Sequence, residues 1–169
     1  MYAVTRFTER RAALKVLHPH LMVEHAMRDR LLKEARLAAR VEHEGVVRIY
    51  NVHENDGGVC IEMQFVEGVP LNRLLSARPF TAVHGVDLLD QILNALVACH
   101  EQSIVHCDLK PGNLLITPAG KVMLADFGIS RAIYDDGEAP AHAFVTSGPL
   151  WGTPQYSPPE IWNGATPTP

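Results

Sequence analysis

The stretch that decides the fold of this chain is His106-Cys107-Asp108-Leu109-Lys110-Pro111-Gly112-Asn113. It places an acid, an ammonium group and a carboxamide close together in the sequence. Short apolar runs lie on either side, Ile104-Val105 before it and Leu114-Leu115-Ile116 after it, and such runs beside turn residues predict short buried strands. The Pro-Gly pair interrupts any helix between them. We therefore expect Asp108, Lys110 and Asn113 on a tight loop that the core anchors at both ends, where catalytic side chains commonly lie.

A second polar group follows the apolar run Val122-Met123-Leu124 and consists of Ala125-Asp126-Phe127-Gly128. Asp126 and Asn113 are suited to a divalent cation, because hard cations prefer carboxylate and carbonyl oxygens. Together the two motifs resemble the catalytic core of the protein kinase family, the first its catalytic loop and the second its metal-binding triplet. The resemblance implies a partial two-lobed α+β fold, with a small β-rich lobe that carries one helix and the first part of a mainly helical lobe.

The resemblance divides the chain into a partial N-lobe, residues 1–66, and a partial C-lobe, residues 67–169. The family's Gly-x-Gly-x-x-Gly phosphate loop is expected just before Met1-Tyr2, and the large helices of the second lobe are expected after Pro169. We therefore expect this sequence to be a kinase domain truncated at both ends. The run of residues is most similar to the bacterial eukaryote-like Ser/Thr protein kinases.

Length and composition fit a globular enzyme. The chain has 169 residues, 47% apolar and 20% charged, which is about one domain with enough apolar residues for a core. The net charge of −4 gives no basic footprint for nucleic acid. Cys60, Cys99 and Cys107 lack CxxC spacing, which favours free thiols in a reducing compartment. No apolar run reaches the ~18 residues that a membrane span requires, so we expect a cytoplasmic chain without a span.

Two strands are predicted at the start of the chain, Tyr2–Val4 and Ala12–Leu17, joined by the polar turn Thr8–Arg11. Lys15 interrupts the second strand, and by strand alternation alone it would point outward, since an unpaired buried ammonium is costly. The resemblance changes this expectation. Ala12-Ala13-Leu14-Lys15 is similar to the kinase strand whose lysine holds the nucleotide phosphates.

A helical pattern runs from about Val23 to Arg40 and places four residues on one face, Met27, Leu31, Glu34 and Ala38. A carboxylate on an apolar face needs a cation, so Glu34 is expected to pair with Lys15, as the strand lysine and helix glutamate pair in kinases. The alternative is that Glu34 lies solvated at the edge of the apolar stripe.

The rest of the predicted small lobe is a hairpin. Gly45 is expected to end the helix in a left-handed conformation. Val46–Val52 predicts a strand, Asn55-Asp56-Gly57-Gly58 a hairpin turn, and Val59–Phe65 a second strand with alternating apolar and polar residues.

The end of this second strand resembles the kinase hinge. The resemblance implies that Met63 lies at the back of the adenine pocket and that the segment from Gln64 to Val66 offers backbone groups to adenine. It also implies that Ala13 and Leu115 hold the adenine ring between them. The expected cofactors are therefore ATP and Mg²⁺.

Two helices are predicted beyond the boundary at Glu67-Gly68. Pro70–Ser76 indicates a short helix with proline in its first turn. Thr81 is expected to cap a long helix that reaches about Glu101. The predicted apolar stripe of that helix consists of Val86, Leu89, Leu93, Leu96 and His100.

The resemblance assigns roles to the polar residues of the two motifs. Asp108 accepts or orients the proton of the substrate hydroxyl, and Lys110 neutralises the transferring phosphoryl group, as in the serine/threonine branch of the family. Asn113 and Asp126 hold magnesium. A related His-x-Asp-x-x-x-x-Asn loop occurs in antibiotic and choline kinases, but Lys110 and the segment that follows argue against that class.

One departure from the family pattern is Cys107, which stands where kinases often have arginine. That arginine commonly pairs with a phosphorylated activation segment, so a switch of this kind is in doubt here. Residues 129–160 resemble the activation segment, with Pro158-Pro159-Glu160 in place of the family's Ala-Pro-Glu. Its candidate phosphorylation sites are Thr146, Ser147 and Thr153.

The sequence therefore predicts the core of a Ser/Thr protein kinase that acts on a protein substrate. The alternative is a pseudokinase, a nucleotide-binding or scaffold module without turnover. The absent glycine-rich loop and Cys107 favour the alternative. The enzyme is favoured by four retained residues, Lys15, Asp108, Asn113 and Asp126.

Overall fold

A computed structural model describes residues 2–4, 11–17, 25–55, 58–77, 80–126 and 153–162 of the chain. Short 3₁₀ turns lie at Pro111–Asn113 and Pro154–Tyr156. In chain order, the described helices and strands are β1 (Tyr2–Val4), β2 (Arg11–Leu17), α1 (His25–Ala38), β3 (Ile49–Asn55), β4 (Gly58–Gln64), β5 (Val69–Pro70), α2 (Leu71–Ala77), α3 (Ala82–Glu101), β6 (Leu114–Ile116), β7 (Val122–Leu124) and α4 (Pro159–Trp162).

The first sheet has the strand order β1-β2-β4-β3, with every neighbouring pair antiparallel. β3 and β4 form the predicted hairpin, in which Asn55 pairs with Gly58, and Gly58 has a φ of 123° that favours glycine. The predicted alternation of β4 is confirmed, because Val59 and Ile61 are fully buried. Arg11 was expected in a turn, but it is the first residue of β2.

Helix α1 ends at Ala38 instead of the predicted Arg40, and it packs on the core through Leu32, Ala35 and Ala38. The side chains of Met27, Leu31 and Glu34 lie outside the described set. The predicted position of Glu34 on the inner face therefore stays a prediction.

The segment between α1 and β3 differs from the prediction. The strand begins at Ile49 instead of Val46, because Val46 forms a parallel bridge with Leu124 of β7. The Val47 N–H donates to the Leu124 carbonyl at 2.8 Å, and the Leu124 N–H donates to the Gly45 carbonyl at 2.7 Å. This short parallel pairing joins the residues that precede β3 to β7, the strand that ends just before Asp126.

Gly45 does not take the expected left-handed conformation. A Cβ atom at this position would lie 3.3 Å from the Cβ atom of Ala95 and 3.2 Å from Nδ1 of His43. A side chain at this position would crowd Ala95, so glycine favours the close approach to α3.

The second sheet has the order β5-β6-β7, again antiparallel. Gly68 lies against it so closely that a Cβ atom would be 3.0 Å from the carbonyl oxygen of Ile116. β6 and β7 match the predicted strands, and Val122 and Leu124 are buried. Ile104 is also buried, but it belongs to no strand, contrary to the prediction.

Helix α3 begins where predicted, after Thr81, whose side-chain oxygen accepts a hydrogen bond from the His84 N–H at 3.3 Å. The buried face was predicted correctly at Leu96 but wrongly at three other apolar positions. Val86, Leu89 and Leu93 are 66%, 54% and 51% exposed. The face that packs inward consists of Leu88, Ile92, Ala95, Leu96 and Cys99. The helix is apolar on two sides, so its periodicity alone could not select the buried one.

Helix α3 is also the one helix in the described part of the chain that is long and apolar enough to cross a membrane. Length and composition alone are weak evidence, since core helices of soluble proteins satisfy the same criteria. Ala95 and Cys99 pack fully buried against the core. The expectation of no membrane span stays a prediction.

Candidate active site

His106 anchors the catalytic loop to the core and is only 3% exposed. Its Nε2 atom lies 3.1 Å from the Ala125 carbonyl oxygen, and its Nδ1 atom accepts a hydrogen bond from the Asp108 N–H at 3.2 Å. Burial lowers the pKa of His106, against the opposing effects of the Ala125 carbonyl and two nearby carboxylates. The neutral ring therefore ties the loop to the segment that carries Asp126.

Asp108 is surrounded by hydrogen-bond donors. Its Oδ2 atom accepts from Lys110 Nζ at 2.6 Å and from Asn113 Nδ2 at 3.1 Å. Its Oδ1 atom accepts from the backbone N–H of Thr153 at 2.9 Å and from the Thr153 hydroxyl at 3.1 Å. Burial raises the pKa of Asp108, but the bond and charge of Lys110, with Thr153 and Asn113, lower it below its usual value. The carboxylate is thus held in its ionised, accepting form.

Thr153 is a site residue whose position the sequence did not reveal, although it was predicted as a phosphorylation candidate. Its hydroxyl accepts a hydrogen bond from Lys110 Nζ at 2.8 Å and donates to Asp108. The available signal was its place in Gly152-Thr153-Pro154, just ahead of the Pro-Pro-Glu segment. The other candidates, Thr146 and Ser147, lie outside the described residues.

Asn113 and Asp126 are brought together by the backbone. The Ala125 N–H donates to the Asn113 carbonyl at 2.9 Å, which places Asp126 next to the end of the catalytic loop. Asn113 Nδ2 donates to the Asp108 carbonyl at 2.8 Å, so its Oδ1 atom is the one suited to a cation. Asp126 has a φ of 60°, which is uncommon for a residue with a side chain.

These two residues fit magnesium. Across the ranges that the structure describes, no group of three or more His, Cys, Asp and Glu residues is placed to hold a metal ion. A carboxylate from Asp126 and a carbonyl oxygen from Asn113 are what Mg²⁺ typically takes from a protein, because nucleotide phosphates and water supply its other ligands.

Lys15 contacts Asp126. Its Nζ atom lies 2.8 Å from Asp126 Oδ1, and the two side chains are about one third and two fifths exposed. The predicted partner was Glu34, whose side chain is not among those described. The pairing of Lys15 with Glu34 therefore stays a prediction, while its inward orientation in β2 agrees with the resemblance.

The residues predicted to hold adenine lie on three strands and the segment after β4. Ala13 of β2 is directly opposite Met63 of β4. The Gln64 N–H donates to the Arg48 carbonyl at 2.8 Å. Val66 follows β4, and Leu115 lies on β6 in the second sheet, both half-buried. Their contact with adenine stays a prediction.

Three cysteines are free thiols. Burial raises the pKa of the Cys99 thiol to about 11, and burial with the charge of Glu62 raises that of Cys60. Cys107 is half-buried beside Asp108 and has a φ of 62°. Its Sγ atom lies 3.5 Å from the Val105 carbonyl oxygen.

Comparisons with known proteins agree with this geometry. Serine/threonine-protein kinase pkn2 of Myxococcus xanthus is 38% identical over 159 residues, which cover 92% of this chain and 19% of pkn2. Serine/threonine-protein kinase PknA of Mycobacterium tuberculosis is 35% identical over 164 residues, which cover 94% of this chain and 37% of PknA. The chain thus spans less than two fifths of the length of either relative.

The crystal structure of the M. tuberculosis PknI kinase domain superposes with a TM-score of 0.64 at 29% sequence identity, over 70% of this chain and 48% of that one. The predicted partial two-lobed kinase fold is therefore confirmed. The family model of the protein kinase domain matches residues 1–168. With the match extending over nearly every residue, this chain belongs to the protein kinase family.

Proposed function

We propose that this chain is the catalytic core of a serine/threonine protein kinase, which transfers the γ-phosphate of ATP to Ser and Thr hydroxyls of a protein substrate. The observation that carries the proposal is the surroundings of Asp108. An alcohol oxygen, that of Thr153, lies within hydrogen-bond distance of its carboxylate. A substrate hydroxyl requires the same kind of contact with a general base.

Asp108 orients the hydroxyl group of the substrate that attacks the γ-phosphate. The donors that lower the pKa of its carboxyl group keep it ionised, so it can accept the hydroxyl proton. Lys110 is assigned charge neutralisation, because its ammonium lies 2.6 Å from the Asp108 carboxylate. A fixed cation at that point stabilises the charge that develops on the transferring phosphoryl group.

ATP and Mg²⁺ belong to this proposal. Lys15, Asn113 and Asp126 would hold the phosphates and the cation, which when bound neutralises charge on the transferring group. The cytoplasmic location and a role in signalling by protein phosphorylation are also proposed. Free thiols support the location.

A second candidate is a nucleotide-binding or scaffold module without turnover. The contact between Lys15 and Asp126 favours it, because the ammonium occupies one oxygen of the carboxylate that a metal would need. Lys15 would have to leave that oxygen and bind the nucleotide phosphates before the oxygen could bind a metal ion.

The test is a phosphorylation assay with γ-labelled ATP, magnesium and a generic Ser/Thr acceptor protein. It is run on this chain and on a version extended at both ends, each beside an Asp108→Asn control. Binding of an ATP analogue is measured with and without magnesium, together with the Asp126→Asn variant. Label transfer that the Asp108→Asn substitution abolishes supports the kinase. Equal nucleotide affinity with and without magnesium, and no transfer at either length, supports the scaffold module.

A further inference from the structure

Arg11 contacts the segment that follows β4. Its guanidinium carbon lies 5.5 Å from the centre of the Phe65 ring, over the ring face, which is cation–π geometry. The same guanidinium forms an ion pair with Glu67. One side chain at the start of β2 therefore holds two residues that flank Val66.

The side of the sheet on which Arg11 lies follows from strand alternation. Arg11, Ala13 and Lys15 are two residues apart and share one face of β2. Ala13 pairs with Met63 and Lys15 with Ile61, so continuing the register places Arg11 beside Phe65. Lys15 reaches Asp126 at one end of this face. Arg11 lies at the other end, about 13 Å away along the strand.

We propose that Arg11, Phe65 and Glu67 form a clasp across the outer edge of the adenine site, and that its opening limits nucleotide exchange. The clasp rests on the proposed function, since it presumes that ATP binds between β2 and the segment after β4. Glu67 lies beyond that segment, on the side of the second sheet. Movement of the first sheet away from the second therefore separates the guanidinium from the carboxylate.

The strength of the clasp follows from its exposure. The Arg11 and Glu67 side chains are 58% and 60% exposed. An exposed ion pair and an exposed cation–π contact are each weak, so their loss should accelerate exchange by about two- to tenfold. The ion pair is also screened by salt, whereas the stacking of Arg11 on Phe65 is less so.

The test measures the dissociation rate of a fluorescent ADP analogue from the 169-residue chain by displacement with excess ADP. The variants are Arg11→Ala, Glu67→Ala, the double variant and the charge exchange Arg11→Glu with Glu67→Arg. Arg73→Ala is the matched control, because Arg73 is an exposed arginine on α2 that is not one of the three clasp residues. We expect both single variants to accelerate release, the double variant to add little to Arg11→Ala, and the control to match the wild type.

The charge exchange should bring the dissociation rate part of the way back to that of the wild type. High ionic strength should accelerate release from the wild type more than from Glu67→Ala. If Arg11→Ala accelerates release and Glu67→Ala does not, the ion pair does not retain the nucleotide and the three-residue clasp is wrong. If nucleotide binds and all rates are equal, the clasp alone is wrong. If neither the wild-type chain nor the version extended at both ends binds nucleotide, the proposed function is overturned together with the clasp.

Discussion

Thr153 connects the Asp108 carboxylate and the Lys110 ammonium of the catalytic loop. Its hydroxyl accepts from Lys110 and donates to Asp108, and its backbone N–H donates to Asp108 as well. The three contacts fix the carboxylate and the ammonium relative to each other. Thr153 is therefore a positioning residue, and a phosphate on its oxygen would place negative charge against Asp108.

Replacing Thr153 with alanine should lower kcat by about ten- to a hundredfold, since hydrogen bonds to charged groups contribute roughly 1.5–3 kcal/mol. Thr153→Ser keeps the hydroxyl and should retain most of the activity. The KM for ATP should change little in either variant, because the hydroxyl contacts the catalytic loop. Steady-state kinetics on an active form of the domain gives both parameters. Equal kcat values for the alanine and serine variants would argue against positioning.

Cys107, which stands where kinases often have arginine, affects how the domain could be activated by phosphorylation. A thiol beside Asp108 cannot pair with a phosphate as arginine does. Activity of the full domain should therefore not depend on phosphate on residues 129–153 of the activation segment. Phosphatase treatment followed by the kinase assay measures this, with mass spectrometry to verify removal. Loss of activity on dephosphorylation would show that another cation has taken the place of the arginine.

At the scale of elements, the contact between the segment before β3 and helix α3 depends on one glycine. Gly45 faces Ala95, and the Val46–Leu124 bridge follows directly. This contact fixes the distance between α3 and the strand that ends before Asp126. The positions of Asn113 and Asp126 thus depend on close packing between α3 and the segment before β3.

Gly45→Val should destabilise the fold by about 1–3 kcal/mol, because the side chain must displace Ala95 or the backbone of α3. Gly85→Ala is a control of opposite sign. Gly85 lies in α3 with open space where a Cβ atom would be, so alanine should stabilise by roughly 0.5–1 kcal/mol through helix propensity. Urea unfolding followed by circular dichroism measures both. A Gly45→Val variant as stable as the wild type would mean that α3 can move away at no cost.

The sequence predicted elements whose signal is local. The alternation of β4 and the Thr81 cap each depend on neighbouring residues, and both are confirmed. The buried face of α3 was predicted wrongly at three positions because both of its faces are apolar and the partner elements are distant in sequence. The start of β3 was misplaced for the same reason, since the partner of Val46 is Leu124.

The same distinction applies to the site. Asp108, Lys110 and Asn113 are close in sequence, and their mutual hydrogen bonds were foreseeable from one loop. Thr153 is 45 positions from Asp108, and Asp126 is 111 positions from Lys15. No spacing rule relates residues so far apart in the sequence. The family resemblance identified Lys15 and Asp126 as site residues, but it did not predict their contact.

At the scale of the whole molecule, the chain spans 48% of the solved PknI kinase domain with which it superposes. One face of α3 remains uncovered in the structure described. Its five large apolar residues are each more than half exposed, Val83, Val86, Leu89, Leu93 and Val97. They follow spacings of three and four residues, so they form one continuous stripe. Contiguous apolar surface of this kind promotes association.

The isolated 169-residue chain should therefore self-associate at micromolar concentration. Replacing Val86 and Leu93 with glutamine should shift it toward monomer without loss of helix content, because neither side chain packs in the core. Leu75→Gln is the matched control, since Leu75 is 47% exposed on α2, outside the stripe, and it should leave association unchanged. Sedimentation velocity at several concentrations measures the distribution. A monomeric wild type, or a stripe variant that associates like the wild type, would mean that this face of α3 does not cause self-association. A shift in the stripe variant alone would identify this face of α3 as the surface through which the chain associates.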